Sequence, residues 1–277
     1  MNEPLTIKIE RFPSDALADL QHNIHHFYEL CGLSLMVADA PVDEIRLPGT
    51  AFDIVAGAEV RDISLVRTEL QNWVLRSGMR DCLESVAGFL NEIRNQCALS
   101  SLLMGGSQCK TKKFECDITR ANRNFGNLSL SKKIEDLEKA YLLQIPAELK
   151  DAILNLNWVR NILVHQFGRP GEQDVNSAGV FIVRWHALQL FFSGPQGSRN
   201  VEELPSVGRE GEALMMTRLP RKKTYALGES IVFSAKEFSE ICFTFYWFGM
   251  AVSESCESHF KRCGYIEVPK PSQWHWT

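Results

Sequence analysis

The sequence predicts a mainly helical bundle with a small antiparallel β insert before its last helix. Apolar residues recur at spacings of three and four over most of residues 14–168 and again after Ser234, as on the buried faces of helices. Between about 176 and 233, β-branched and aromatic residues alternate with Gly, Pro and Ser clusters, which is typical of short strands. We expect one domain over residues 1–277, with the bundle at 14–168 and 234–263, the insert at 176–233 and a C-terminal tail at 265–277.

The first part of the chain predicts two helical segments. Ser14 is a good N-cap, and the pattern from Asp15 to about Cys31 is helical, with Gly32 suited to end it. A second helical pattern extends from Val60 to about Leu103 and is either one long helix or two helices separated at Ser77 and Gly78. The intervening stretches are expected to be an irregular connection with at most one short strand at 33–58 and a surface loop at 104–128.

Two more helices are predicted before the insert. Ser129 begins a helix that continues to Tyr141, and Pro146 suits the first turn of a helix from about Ala147 to Gln166, closed by Gly168 and Pro170. The second of these helices carries two apolar stripes, which predicts that it lies between neighbouring elements. One stripe contains Leu149, Ile153, Leu156 and Leu163, and the other contains Leu154 and Trp158 and continues into Asn161 and His165.

The insert predicts two or three antiparallel strands, and the final helix follows it. The strand candidates are Val180–Phe192, Ala213–Thr217 and Tyr225–Phe233. Ser234 is a suitable N-cap for a last helix that ends near Cys263.

Composition excludes several classes of protein. A net charge of −4 argues against bulk electrostatic coating of nucleic acid, which requires many clustered Lys and Arg residues. The N-terminus lacks a signal-peptide pattern, so we expect the eight cysteines to stay reduced and the protein to be cytoplasmic. The most apolar run, Ile241–Val252, is shorter than the roughly 20 residues needed to cross a bilayer, so no membrane association is expected.

Neither a metal site nor a cofactor site is predicted. The cysteines form no CxxC pair, and His22, His25 and His26 lie on the first helix without a carboxylate or Cys at suitable spacing, so a solvated face is the expected interpretation. A phosphate-binding Gly-rich loop and a Gly-x-Ser-x-Gly elbow are both missing from the sequence, which argues against an NTPase or a serine hydrolase.

Three polar residues interrupt the otherwise apolar helix at 147–166. Arg160, Asn161 and His165 stand there, and a buried Arg is costly without an anionic partner. One interpretation is structural: Arg160 pairs with an acid such as Asp151 or Glu138, and His165 is a hydrogen-bonded core histidine.

The second interpretation is functional and comes from a resemblance. Arg160 to His165 resembles the R-N-x-x-x-H signature of the HEPN superfamily, whose helical bundle carries an RNA-cleaving site. The segment Leu128–Tyr141 is similar to the helix before the motif helix in bacterial members, and Gly228–Ile231 followed by Ser234–Phe238 resembles their Gly-x-Ile strand and capped final helix. The resemblance covers roughly residues 60–263 and implies a HEPN-like up-and-down helical bundle.

The residue types suit cleavage of RNA without a metal. Attack of a ribose 2′-hydroxyl on its own phosphate needs a base and an acid, and histidine, with an unperturbed pKa of about 6.5, serves either role. We expect His165 to act as acid or base, Arg160 to hold the phosphate and Asn161 to orient these groups. Arg160 and His165 are five residues apart, about 140° around a helix, so the Arg side chain must bend towards the His or the helix must distort.

The resemblance also implies partners. One His per chain suggests a homodimer in which two copies of the helix share a composite site, with RNA as substrate and an antitoxin or regulatory protein in a defence or toxin setting. Some relatives carry a Tyr, modified by a partner enzyme, two residues after the His; this chain has Phe167 there, so that modification is not predicted. The alternative is a non-catalytic dimerisation or nucleotide- or RNA-binding module on the same bundle. Basic clusters on predicted loops are candidate RNA contacts: Lys110, Lys112 and Lys113, and Arg218, Arg221, Lys222 and Lys223.

Overall fold

The computed structural model describes residues 11–38, 63–104, 122–195, 197–201 and 212–264. It is mainly helical, with a three-stranded antiparallel sheet before the last helix. The elements are α1 (Pro13–Ala38), α2 (Ile63–Met104), α3 (Leu130–Tyr141), α4 (Ala147–His165), β1 (Val180–Gly194), β2 (Gly197–Asn200), β3 (Ala213–Ala226) and α5 (Ala235–Arg262). Several predicted features lie outside the described residues: most of the connections at 39–62 and 105–121, the candidate RNA contacts Lys110, Lys112 and Lys113, and the tail at 265–277.

Helix α1 is longer than predicted. It continues through Gly32 to Ala38, so the predicted end at Gly32 and the irregular start of the following connection were wrong. Glycine ends a helix when its backbone turns into the left-handed region, and Gly32 does not have a positive φ. The glycine is therefore a neutral position on an exposed helix face, where nothing would contact an added Cβ.

Helix α2 is a single long helix, which decides between the two alternatives left open at Ser77 and Gly78. A Cβ on Gly78 would clash with the Sγ atom of Cys31 on α1 and would lie 2.8 Å from the ring of Phe238 on α5. Gly78 thus allows α1 and α5 to approach α2 closely. An interior glycine lowers the stability of a helix, and this close packing compensates for that cost. Helix α2 therefore continues through Gly78 without a break.

Helices α3 and α4 begin as the local sequence predicts. The side chain of Ser129 accepts a hydrogen bond from the Lys132 amide at 3.4 Å, and Pro146 is the N-cap of α4. Helix α4 ends at His165, one residue before the predicted end. A single helical turn at residues 122–126 precedes α3, within the stretch predicted to be a loop.

The insert is a sheet of order β2-β1-β3, with β1 antiparallel to both neighbours. Strand β3 is continuous to Ala226, so the predicted separate strand Tyr225–Phe233 was wrong. The Glu229 amide donates to the Ala226 carbonyl at 3.0 Å, and Gly228 has φ +73°, which together turn the chain away from the sheet. Ile231 and Phe233 are buried by packing on the bundle, and this burial explains their apolar pattern without strand pairing.

Helix α5 lies at the centre of the core and carries the sheet on one side. Its N-terminus has a capping box between Ser234 and Glu237, as the N-cap prediction requires. The Thr244 hydroxyl accepts a hydrogen bond from the His186 amide at 2.9 Å, which joins α5 to β1. The buried apolar residues of α5 are Phe238, Ile241, Cys242, Phe245, Phe248, Val252, Cys256 and Phe260. Within the described ranges, no helix combines the length and apolar character needed to cross a membrane.

Candidate functional site

The face of α4 that carries the candidate residues is open to solvent. Leu149, Ile153 and Leu156 on the other face are buried in the core. Trp158 is 46% exposed, and Asn161 and His165 are exposed too. Helix α4 contacts α2, α5 and β1, as the prediction that it lies between neighbouring elements requires. Its second stripe is covered at Leu154 and only partly covered at Trp158. The indole of Trp158 is fixed on this surface by a 2.7 Å hydrogen bond to Asp174.

Arg160 connects α4 to α2. Its Nη2 atom donates to Glu84 on α2, and its Nη1 atom donates to the Oδ1 atom of Asn161 at 3.2 Å. The expected partners Asp151 and Glu138 are not used: Glu138 instead binds the Nζ atom of Lys150 at 2.9 and 3.1 Å. The Arg160 side chain is 27% exposed and that of Glu84 is 60% exposed, so solvent reaches this ion pair. The Nε atom of Arg160 is buried and has no hydrogen-bond partner within the described part of the chain.

The Arg160 side chain bends towards its neighbour in the motif, because its guanidinium donates to the Asn161 amide oxygen. Asn161 lies four residues before His165, on the same face of α4. The described helix is regular through the motif, so Asn161 is the residue that links the Arg160 guanidinium to the face that carries His165. The imidazole of His165 is exposed and has no hydrogen-bond partner among the described residues. The interpretation of His165 as a hydrogen-bonded core histidine was therefore wrong.

A tight turn follows His165. The amide of Gly168 donates to the Ile162 carbonyl at 3.0 Å and closes the helix end. Two consecutive residues have left-handed backbones, Phe167 with φ +53° and Gly168 with φ +75°. A left-handed conformation is ordinary for Gly but costly for a bulky residue, and Phe167 is 87% exposed, so burial of its ring does not compensate.

Two arginines that the sequence analysis did not select lie at this turn. Arg76 on α2 donates from Nη2 to the Ser230 hydroxyl at 3.0 Å and to the Ile231 carbonyl at 3.1 Å. Arg169 donates from Nη1 to the Gly228 carbonyl at 3.4 Å. Neither Arg76 nor Glu84 has a local sequence signal, because their relation to α4 arises only when α2 packs beside it. Arg76 and Glu84 are eight residues apart on α2, and Arg160 and Gly168 are also eight residues apart.

The second predicted basic cluster lies on a strand rather than a loop. Arg221, Lys222 and Lys223 are part of β3, paired with β1. The Nζ atom of Lys223 binds Glu237 at 2.9 Å, and the Nε atom of Arg221 lies 4.0 Å from Glu240. The prediction that these residues occupy a loop was wrong, because Tyr225 and its neighbours extend the strand through them. Arg218, the fourth member of this cluster, also lies on β3, and its Nη2 atom is 3.5 Å from Glu148 on α4. Three of the four charges therefore have an acidic partner on α4 or α5.

The three histidines of α1 lie on its solvated face. His22, His25 and His26 are exposed, and the Nε2 atom of His25 lies 3.1 Å from Glu29. Across the described residues, no group of three or more His, Cys, Asp or Glu side chains has an arrangement that could hold a metal ion.

The candidate site therefore consists of an exposed Asn and His, an Arg held between two helices, and a strained aromatic turn beside two further arginines. Comparisons of the chain with protein-family models, with curated proteins and with solved structures found no match.

Proposed function

We propose that the protein is a metal-independent endoribonuclease of HEPN type, built on a HEPN-like up-and-down bundle and acting in the cytoplasm. The observation that supports this proposal is the contact of Arg160 with Asn161, one helical turn from the exposed imidazole of His165 on α4. A guanidinium, an amide and an imidazole are groups that suit phosphodiester cleavage.

The proposed reaction uses these groups as follows. The ribose 2′-oxygen attacks the adjacent phosphorus and loses its proton to a base, while the bond to the 5′-oxygen breaks and that oxygen gains a proton from an acid. The products are a 2′,3′-cyclic phosphate and a free 5′-hydroxyl. His165 provides proton transfer, Arg160 stabilises the charge on the phosphate oxygens, and Asn161 keeps the guanidinium in position.

Two proton-transfer groups are needed, and one chain supplies one at this site. We propose a homodimer in which the open faces of two α4 helices meet about a two-fold axis, so that both His165 side chains line one groove. The partly exposed apolar residues beside the motif, Trp158 and Val164, are suited to such a contact. In this proposal RNA is the substrate and an antitoxin or regulatory protein restrains the activity in a defence or toxin setting.

One observation favours the alternative, a non-catalytic dimerisation or nucleotide- or RNA-binding module. Arg160 is hydrogen-bonded to Glu84, so its guanidinium joins α2 to α4. In a module of this kind the motif would serve the packing of these two helices.

Cleavage of a single-stranded RNA in EDTA, with analysis of the product ends, tests the enzyme proposal. We expect 2′,3′-cyclic phosphate ends from the wild-type protein and none from His165→Ala, with equal melting temperatures because His165 is exposed. His22→Ala is the matched control, since it removes an exposed helical imidazole far from the motif in sequence. Wild-type protein that leaves RNA intact, or an H165A variant that cleaves normally, would contradict the proposal.

A mixing experiment tests the shared site. Excess H165A protein added to the wild-type protein should form mixed dimers and reduce cleavage more than simple dilution does. Sedimentation analysis should show a dimer for both proteins. A monomer with full activity would contradict the composite site, while loss of the fold in H165A would favour the module.

A further inference from the structure

Arg76 is a half-buried cation that has no acidic partner in the described part of the chain. Its Nη2 atom is bonded to neutral acceptors, the Ser230 hydroxyl and the Ile231 carbonyl, and its Nε atom is buried without a hydrogen bond. In the described residues no carboxylate forms an ion pair with it. Burial and the nearby Arg169 both lower the pKa of Arg76. A protein usually offsets the cost of burying a guanidinium with an anion, and among the described side chains no carboxylate takes that place.

Arg169 approaches the same turn from the other side. It follows Gly168, whose backbone lies against the Arg76 guanidinium so closely that a Cβ there would be 3.1 Å from the Arg76 Cζ atom. Arg76 binds Ser230 and Ile231, and Arg169 binds Gly228, so two guanidinium groups flank one short turn. Glu229, the acid within that turn, accepts from the Ala226 amide at 2.7 Å instead.

From this arrangement we infer that Arg76 and Arg169 form a second phosphate-binding subsite, which holds another phosphate of the RNA strand that is cleaved. Planar guanidinium groups bind phosphate oxygens through paired hydrogen bonds, and two of them repel each other unless an anion lies between them. The identity of the anion rests on the proposed ribonuclease function; the anion site itself rests on the two arginines.

The position of the subsite suits a continuous strand. Gly168 is three residues beyond His165, and the Arg76–Gly168 and Arg160–Glu84 contacts are eight residues apart on α2, about 12 Å along the helix axis. An RNA strand with one phosphate at Arg160 and His165 therefore reaches Arg76 and Arg169 if it continues along α2 and α4. In a chain with a net charge of −4, this pair is a local site, within the described residues, where a phosphate would meet positive charge without an acidic partner.

Binding of a 2′-O-methyl single-stranded RNA oligonucleotide tests the subsite, because this probe has the RNA backbone but no 2′-hydroxyl and cannot be cleaved. We expect Arg169→Glu to weaken binding about tenfold or more, the effect of removing one charged hydrogen bond. The slope of log K against log salt should become shallower by about 0.7 for each phosphate that the variant no longer neutralises. Arg184→Glu, the same charge reversal at an exposed position on β1, should change neither quantity as strongly.

The melting temperature gives a second readout that a merely structural role would not produce. A carboxylate at position 169 would be attracted to Arg76, so R169E should melt no lower than the wild-type protein while it binds RNA worse. Arg76→Gln should weaken binding as well, and Ser230→Ala, which removes one acceptor of Arg76 but no charge, should bind nearly as the wild-type protein does.

The outcomes separate this inference from the proposed function. Equal binding by R169E and R184E, or no binding of the oligonucleotide by the wild-type protein, would overturn the subsite. Weakened binding by R169E together with intact RNA in the cleavage assay would support the subsite and reject the nuclease. If R169E binds the oligonucleotide more weakly, and H165A binds it fully but does not cleave RNA, the results support both the subsite and the nuclease.

Discussion

Glu84 on α2 accepts a hydrogen bond from the guanidinium of Arg160 on α4. This contact joins the two helices at the residue proposed to hold the scissile phosphate. A phosphate that binds Arg160 must compete with a carboxylate, so Glu84 sets the strength of that interaction. Because the Glu84 side chain is well exposed, the ion pair itself contributes little to stability.

Glu84→Gln should therefore tighten binding of the 2′-O-methyl oligonucleotide, by up to about fivefold if the ion pair that it removes is worth up to about 1 kcal/mol. The free energy of unfolding should fall by less than about 1 kcal/mol in urea titrations. Asp81→Asn is the control, since Asp81 is on the same helix and pairs with Arg80 instead. Weaker RNA binding by E84Q would mean that Glu84 positions Arg160 for its ligand rather than competing with it.

Phe167 has a left-handed backbone, and the burial of its ring does not compensate for the cost of this conformation. Phe167→Gly should raise the free energy of unfolding by about 1 kcal/mol, because Gly adopts φ +53° without the clash of a Cβ. The exposed ring stands next to His165 in the chain and is suited to stack on a base, so the same variant should bind the oligonucleotide at least about fivefold more weakly. Urea unfolding and fluorescence anisotropy measure the two effects.

Phe167→Tyr separates these two roles of the ring. It keeps an aromatic face and the same backbone conformation, so both stability and RNA binding should stay near the wild-type values. If F167G is more stable and binds RNA as well as F167Y does, the strained ring has no part in binding.

Elements whose ends are set by local hydrogen bonds could be predicted from the sequence. Ser129 and Ser234 begin α3 and α5 as expected, because an N-cap needs only the amides that follow it within one turn. The predicted helix end near Gln166 and the start of β1 at Val180 also match, since glycine and proline mark both places. These signals are contained in a few consecutive residues.

Features that depend on distant contacts could not be predicted in this way. Gly32 and Gly78 look alike as helix breakers, yet α1 and α2 continue through them, one in open solvent and the other pressed against Cys31 and Phe238. Glu84 was missed as the partner of Arg160 because the two residues are 76 positions apart. The candidate site residues could be selected from the motif, but their charge environment required the packing of α2 beside α4.

His186 on β1 is buried, and its Nδ1 atom has no hydrogen-bond partner among the described residues. Burial lowers its pKa, and Arg218 lowers it further, while Glu148 raises it. The unfolded chain therefore binds a proton more readily than the folded protein. The stabilising effect of the neutral imidazole is complete above the ordinary histidine pKa of about 6.5 and is lost as the pH falls through the lower pKa of the folded state.

His186→Leu removes the titrating group with little change in side-chain volume. The free energy of unfolding of this variant should fall less than that of the wild-type protein when the pH is lowered from about 7.5 to about 5. Urea unfolding at both pH values measures this difference in stability. The pKa of His259 is also lowered by burial, but both proteins contain His259, so its contribution cancels in the comparison. Parallel pH dependences for the two proteins would show that His186 is not responsible.

Gly78 and Gly88 allow a comparison of two glycines on the same helix. A Cβ at Gly78 would clash with the sulfur of Cys31 and lie 2.8 Å from the Phe238 ring, while nothing lies within 4 Å of one at Gly88. Alanine has the better helix propensity at both positions, by about 1 kcal/mol, so propensity alone predicts that both substitutions stabilise α2. At Gly78 this gain must be set against overpacking between α1, α2 and α5, which costs about 1–3 kcal/mol.

We therefore expect Gly88→Ala to raise the free energy of unfolding by up to about 1 kcal/mol, and Gly78→Ala to lower it by up to about 2 kcal/mol once both terms are counted. Adding Cys31→Ala to G78A removes the sulfur that the new methyl group would meet, so the double variant should lose less than the sum of its two single substitutions. Equal stabilisation by G78A and G88A would mean that α1 and α5 can move apart at no cost, and that the close approach of the three helices does not depend on this glycine.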